Sequence, residues 1–232
     1  MITIHQMNFM RNILLILPAL TFLISGTTNS INNDKKVADH ITDAATVKLV
    51  YTGIMNGYAT VNVGITVEID TSIGIRYEVN YTLGIKSHVA FFYKFSNPHQ
   101  VIEYNFLTHK SYEIKGGKSS KDPEVTDLGK TTNGNYQCTH LYHENNNGKS
   151  SEDYWMSQSV PGFAQVARVL NNIDPTLKQM FINHNIFKWG GLVELQMRDE
   201  TNDGQKTTFK LYLTSAQSGI PLNLDDFEVP SK

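Results

Sequence analysis

Residues 60–81 constrain this chain more than any other segment. Val61, Val63, Ile65, Val67 and Ile69 alternate with Thr60, Asn62, Gly64, Thr66, Glu68 and Asp70. Ile73, Ile75, Tyr77, Val79 and Tyr81 then alternate with Ser72, Gly74, Arg76, Glu78 and Asn80. Side chains of a strand point alternately to its two faces, so this pattern sets each apolar series on one side of a half-buried strand. Asp70, Thr71 and Ser72 supply a tight turn, and the two segments are predicted to form an antiparallel hairpin. A helix would scatter these residues around its whole circumference. The chain must therefore build a sheet with one apolar face.

Weaker strands are predicted at 47–54, 89–95, 101–106, 110–114, 136–142, 153–157, 191–198 and 207–214. The last two are joined at Asn202-Asp203-Gly204, where Asp-Gly favours positive φ. Between 115 and 135 the residues are mainly Gly, Lys, Ser, Asp and Thr, as in a mobile loop or an extended hairpin tip. One region departs from period two. Phe163, Val166, Ala167, Val169 and Leu170 recur at helical spacing. Asp174 then stands as an N-cap before Pro175, with Leu177, Met180 and Phe181 following. Two short helices broken near Asn171-Asn172 are expected, burying their stripe on the open apolar face of the sheet.

The N-terminus reads as an address. Arg11 precedes an uncharged apolar run from 13 to 24, followed by Ser25, Gly26, Thr27 and Thr28. Charge, apolar stretch and small residues in that order make a secretory signal peptide. The run is shorter than the roughly 20 residues a membrane-spanning helix needs. The expected organisation is a signal peptide at 1–26, a flexible linker at 27–42 and a single β-rich domain at 43–232. The expected location is extracytoplasmic and soluble, periplasmic in a Gram-negative host, with no transmembrane anchor after cleavage.

Composition excludes several functions. A net charge of −2 gives no electrostatic footprint for nucleic acid. One cysteine, Cys138, rules out an intramolecular disulfide and any multi-cysteine metal cage. The chain has no Gly-Xaa-Ser-Xaa-Gly elbow, phosphate loop, His-Glu-Xaa-Xaa-His or dinucleotide fingerprint. Cys138 and His140 share a strand face, but no orienting group or oxyanion hole accompanies them, so Cys138 is expected to be a packed thiol. His140 and His143 point to opposite faces of a strand and do not make a metal site. Asp225-Asp226 and Glu152-Asp153 read as solvated carboxylates, and Trp155, Trp189 and Phe163 as packing residues. No catalytic residue, metal ligand or cofactor is predicted, and the chain is expected not to be an enzyme.

Several local patterns, in their order along the chain, resemble one family. They are Gln100 to Tyr112 with its Lys-Xaa-Tyr end, Gly134-Asn135-Tyr136-Gln137-Cys138, Asp153-Tyr154-Trp155-Met156-Ser157, Gly190-Gly191-Leu192-Val193-Glu194-Leu195 and the closing Phe227-Glu228-Val229-Pro230. Over about residues 45–230 they resemble the uncharacterised bacterial envelope family called domain of unknown function 4412. Asn135 interrupts that family's usual Gly-Tyr, and Asn97-Pro98-His99 replaces an acidic residue. The resemblance implies a fold like that of the lipoprotein carriers (LolA/LolB-like): mainly β, one strongly curved antiparallel sheet or incomplete barrel with two short helices on its concave face. It implies no established activity. Such an arrangement suits a binding module for an apolar or lipid-like ligand, with Phe163, Val166, Leu170, Leu177 and Phe181 as a helical lid. The alternative is a structural or interaction protein of the envelope, with an envelope protein as partner and a core filled by its own side chains.

Overall fold

The computed structural model describes residues 22–23, 46–83, 85–114, 124–145, 148–171, 182–183, 185–200 and 204–230. In chain order the strands are β1 (Phe22–Leu23), β2 (Thr46–Asn56), β3 (Thr60–Asp70), β4 (Gly74–Leu83), β5 (Ile85–Lys94), β6 (Val101–Asn105) and β7 (Lys110–Ile114). There follow β8 (Thr126–Asn133), β9 (Tyr136–Asn145), β10 (Ser150–Ser157), the helix α1 (Phe163–Asn171), β11 (Ile182–Asn183), β12 (Gly191–Glu200) and β13 (Lys206–Ser218). Short 3₁₀ turns occupy Asn185–Trp189 and Leu224–Phe227.

Eleven strands form one open antiparallel sheet in the order β7-β6-β5-β4-β3-β2-β13-β12-β10-β9-β8. The first half is a meander, since each strand from β2 to β7 pairs with its successor. β13 returns from the far end of the chain to lie beside β2, pairing Asn56 with Thr208 and Val47 with Ser218. β1 and β11 make a separate two-residue parallel pair. The remainder of the expected leader, and the linker at 27–42, lie outside the described residues.

The alternation read from the sequence sets the core. Val47, Leu49, Tyr51 and Met55 share a face with Val61, Val63, Ile65, Ile69, Ile75, Tyr77 and Val79, and all are buried. The face continues across β13 and β12 through Phe209, Leu211 and Leu195 to Tyr154 and Leu141. Tyr51 on β2 and Tyr136 on β9 lie close enough to interact electrostatically. Four strand spacings separate them in the sheet order, about 19 Å on a flat surface. The sheet therefore curls toward its apolar face, which is concave.

The opposite face carries apolar packing at the β5–β6 end. Ala90, Phe92 and Tyr104 form a second small cluster with Phe106 and Val229. Phe227 is fully buried, and Lys94 Nζ reaches Glu228 at 2.5 Å, so the C-terminal segment is pinned behind β4 and β5.

One expectation needs correction. The interval 115–135 is not all loop: Thr126–Asn133 is the edge strand β8, and 115–123 lies outside the described residues. β8 is exposed along most of its length, so it carries no apolar alternation to betray it. One α-helix, not two, is present among the described residues. The expected second helix, from Asp174 to Phe181, lies outside them.

Candidate functional site

α1 is amphipathic and lies across the concave face at β2. Val166 and Val169 are buried, and Phe163 and Gln165 pack inward beside them. The helix is seated by Gly162, whose φ of +76° suits glycine and whose Cα approaches Val47 so closely that a Cβ there would fall 2.6 Å from Val47 Cγ1. Of the five lid residues expected from the sequence, Phe163, Val166 and Leu170 fall on α1. Phe163 and Val166 meet the core; the side chain of Leu170 is not described. Leu177 and Phe181 lie outside the described residues.

Beside α1 a cleft of about 370 Å³ opens between helix and sheet, lined by Thr71, Ser72, Tyr93, Phe95, Pro98, Arg168 and Val169. Its floor is aromatic: the Tyr93 and Phe95 rings meet edge to face with centroids 5.7 Å apart. Its rim is polar. Ser72 is fixed by Asp70, whose carboxylate accepts from the Ser72 backbone N–H at 2.8 Å and from its hydroxyl at 2.6 Å. The turn read in the sequence as a hairpin end is thus one wall of the cleft. The pattern gave no sign of this lining, because it comes from three separate segments: the 71–72 turn, residues 93–98 and α1.

Below the cleft the concave face holds a group of phenols. Tyr51 donates to the Leu192 carbonyl at 3.3 Å. Tyr77 packs against Phe91 with centroids 5.9 Å apart, and its hydroxyl has no hydrogen-bond partner among the described residues. Burial, with a smaller contribution from a neighbouring tyrosine, pushes both phenols far above their usual range, so both stay protonated. Glu103 stands on the same face opposite Phe91, and burial raises its carboxyl above the ordinary value.

The other sequence candidates form no reactive centre. Cys138 is buried, its thiol directed to the Tyr136 carbonyl at 3.7 Å. Burial is the main cause of its raised pKa, with Glu194 adding to it while the Asn133 backbone and Lys130 oppose it. A raised thiol is a poor nucleophile at neutral pH. His140 Nε2 lies 2.8 Å from Asp153 Oδ1, and its ring stacks on Trp155 at 4.4 Å. His143 instead meets the Glu124 carbonyl at 2.8 Å through Nδ1. Glu152 and Asp153 are not a solvated pair: Glu152 is buried and accepts from the Tyr154 hydroxyl, while Asp153 holds His140. Among the described residues no three His, Cys, Asp or Glu side chains gather as a metal site. None of the described helices is long and apolar enough to cross a membrane.

No family model matches the chain, so the resemblance to domain of unknown function 4412 is not confirmed. No curated protein matches it either. Solved structures are similar to the chain, three of them as follows. A domain described as an outer membrane lipoprotein-sorting protein from Vibrio parahaemolyticus is 8% identical, with 79% of this chain and 89% of that one covered and a TM-score of 0.33. A DUF1329 family protein from Desulfovibrio piger is 10% identical, covering 80% and 90%, with a TM-score of 0.34. A LolA superfamily protein from Nitrosomonas europaea is 8% identical, covering 81% and 91%, with a TM-score of 0.33. Similarity at these TM-scores carries no argument about this chain, whose reading rests on its own sheet, helix and cleft.

Proposed function

We propose that this chain is an exported, non-enzymatic binding module for an apolar or lipid-like ligand. Its folded part is one β-rich domain, residues 43–232, and α1 with the segment after it is the lid. The supporting observation is the cleft between α1 and the concave face, with an aromatic floor and a hydroxyl-and-guanidinium rim at Thr71, Ser72 and Arg168. A ligand site needs apolar enclosure with a few placed polar groups, and this cleft has both. Export rests on the order of Arg11, the apolar run and the small residues after it.

A lid has to open, so its backbone should exchange faster than the strands it covers. Hydrogen exchange on the purified protein should be faster in 163–171 than in 60–83. Added myristoyl lysophosphatidylcholine should slow it in 163–171. Equal protection in both segments, unaltered by that lipid, would remove the carrier reading. One observation favours the second reading, an interaction protein with a filled core: Val47, Ile69 and Ile75 on the concave face are almost inaccessible. Native mass spectrometry of protein taken from the envelope separates the two. A co-purifying lipid mass supports the module, and a clean apo mass with a bound protein partner supports the second reading.

A further inference from the structure

The Tyr77 hydroxyl is the least explained polar group on the concave face. The residue is 9% exposed and its oxygen is wholly buried, yet it makes no hydrogen bond among the described residues. Buried hydroxyls are nearly always paired, because an unpaired one loses its water and gains nothing in return. Tyr51, its neighbour on the same face, follows that rule by donating to Leu192. A phenylalanine at 77 would fill the same space among Phe91 and the aliphatic side chains with no such cost.

Its position relates to the cleft. Tyr93, on the cleft floor, pairs directly with Ile75, and the next pair on the same face is Tyr77 with Phe91. Two residues along a strand span about 6.8 Å. A chain entering past Phe95 and Tyr93 thus arrives at Tyr77 one step later, once Val166 and Val169 of α1 give way.

We propose that the Tyr77 hydroxyl is a specificity-determining donor, which binds the ester or amide carbonyl of an acyl ligand and so distinguishes acyl chains from plain alkyl chains. The inference rests on the binding-module reading and names its ligand class. The phenol stays protonated because burial disfavours the phenolate, so it can donate. The acceptor must be neutral, since an anion brought among Phe91, Val79 and Tyr51 would be buried without a cation. The Arg168 guanidinium belongs to the rim and is placed to meet a headgroup left outside.

The test compares the full-length protein with Tyr77→Phe, using myristoyl lysophosphatidylcholine and its tetradecyl ether analogue, which differ by the ester carbonyl. The wild type should bind the ester about fivefold more tightly than the ether, as one net hydrogen bond implies. Tyr77→Phe should bind the two equally, with its ether affinity unchanged. The unliganded variant should melt no lower than the wild type, because the hydroxyl it removes has no partner. An ester preference that survives the substitution, or no preference in the wild type, overturns the inference and leaves the binding-module reading standing. A clear loss of unliganded stability also overturns it, by showing that the hydroxyl serves the fold. Failure of the wild type to bind either probe, below the concentration at which they form micelles, overturns the reading and the inference together.

Discussion

At the residue scale, the concave face combines apolar contact with polar tips whose protonation is tied to folding. Tyr51, Tyr77 and Tyr154 are buried, and burial is the largest cause of the upward shift in each. In the unfolded chain a phenol ionises near pH 10, about where the folded protein still holds all three protons. Below that pH both states are protonated and the stability is intact. As pH rises above it the unfolded state releases protons that the folded state keeps, so stability falls by up to about 1.4 kcal/mol per pH unit for each phenol. The melting temperature should hold steady to about pH 10 and then drop steeply, with the tyrosinate absorbance of these residues appearing only as the protein unfolds. Tyrosinate signal from all phenols in a still-folded protein would contradict their burial. Cys138 obeys the same physics at lower pH. Its thiol should resist maleimide in the native protein at neutral pH and react at once in denaturant; rapid native labelling would show an accessible thiolate.

At the scale of elements, the turn into β12 leaves its backbone little freedom. Gly190 has φ +131°, and a Cβ on it would overlap the Ser157 carbonyl carbon and oxygen. Gly204, at φ +81°, has nothing within 4 Å of where its Cβ would stand. Gly204→Ala should therefore cost only the left-handed backbone, about 1 kcal/mol. Gly190→Ala adds a backbone collision and should cost about 3 kcal/mol or more. Denaturant unfolding of the two variants checks this, and equal costs would mean that the Ser157 contact gives way freely.

The same scale explains what could be read from the sequence. The hairpin of β3 and β4 was legible because one of its faces is dry and the other is largely polar, which writes period two directly into the residues. α1 was legible because its buried stripe, Val166 and Val169, lies against a single surface. β8 was not, since an exposed edge strand places no demand on its side chains. Nor was the burial of Glu152, which depends on Tyr154 and on packing across β9 and β12 that no local pattern records. The cleft was anticipated only as a space between helix and sheet. Its lining joins residues 71 to 169, and adjacency of that kind arises from topology.

At the scale of the whole molecule, the sheet depends on its last strand. β13 is its seventh strand in spatial order and joins the meander β2–β7 to the group β12, β10, β9 and β8. It pairs with β2 across more than 150 residues of chain, from Asn56 opposite Thr208 to Val47 opposite Ser218. It also contributes Phe209 and Leu211, both buried, to the concave core. Beyond it, the Thr46 hydroxyl donates to the Ile220 carbonyl at 2.5 Å, Phe227 is buried, and Val229 packs against the cluster behind β5. A chain ending at residue 204 would leave two unpaired inner edges, at β2 and β12, where the intact sheet has none. It would also expose the apolar residues that β13 covers. Such edges template association with other chains. The shortened chain should therefore show no cooperative thermal transition and should aggregate, although eight of the sheet's ten neighbour pairings do not involve β13. Removing residues 231–232, which lie past the last buried side chain, should leave the transition unchanged. Because the central pairing is so distant in sequence, refolding of the intact protein should be slow, in the range of milliseconds to seconds or longer. A cooperative, monomeric melt from the chain ending at 204 would show that the meander β2–β7 folds alone, and that β13 adds to the sheet without organising it.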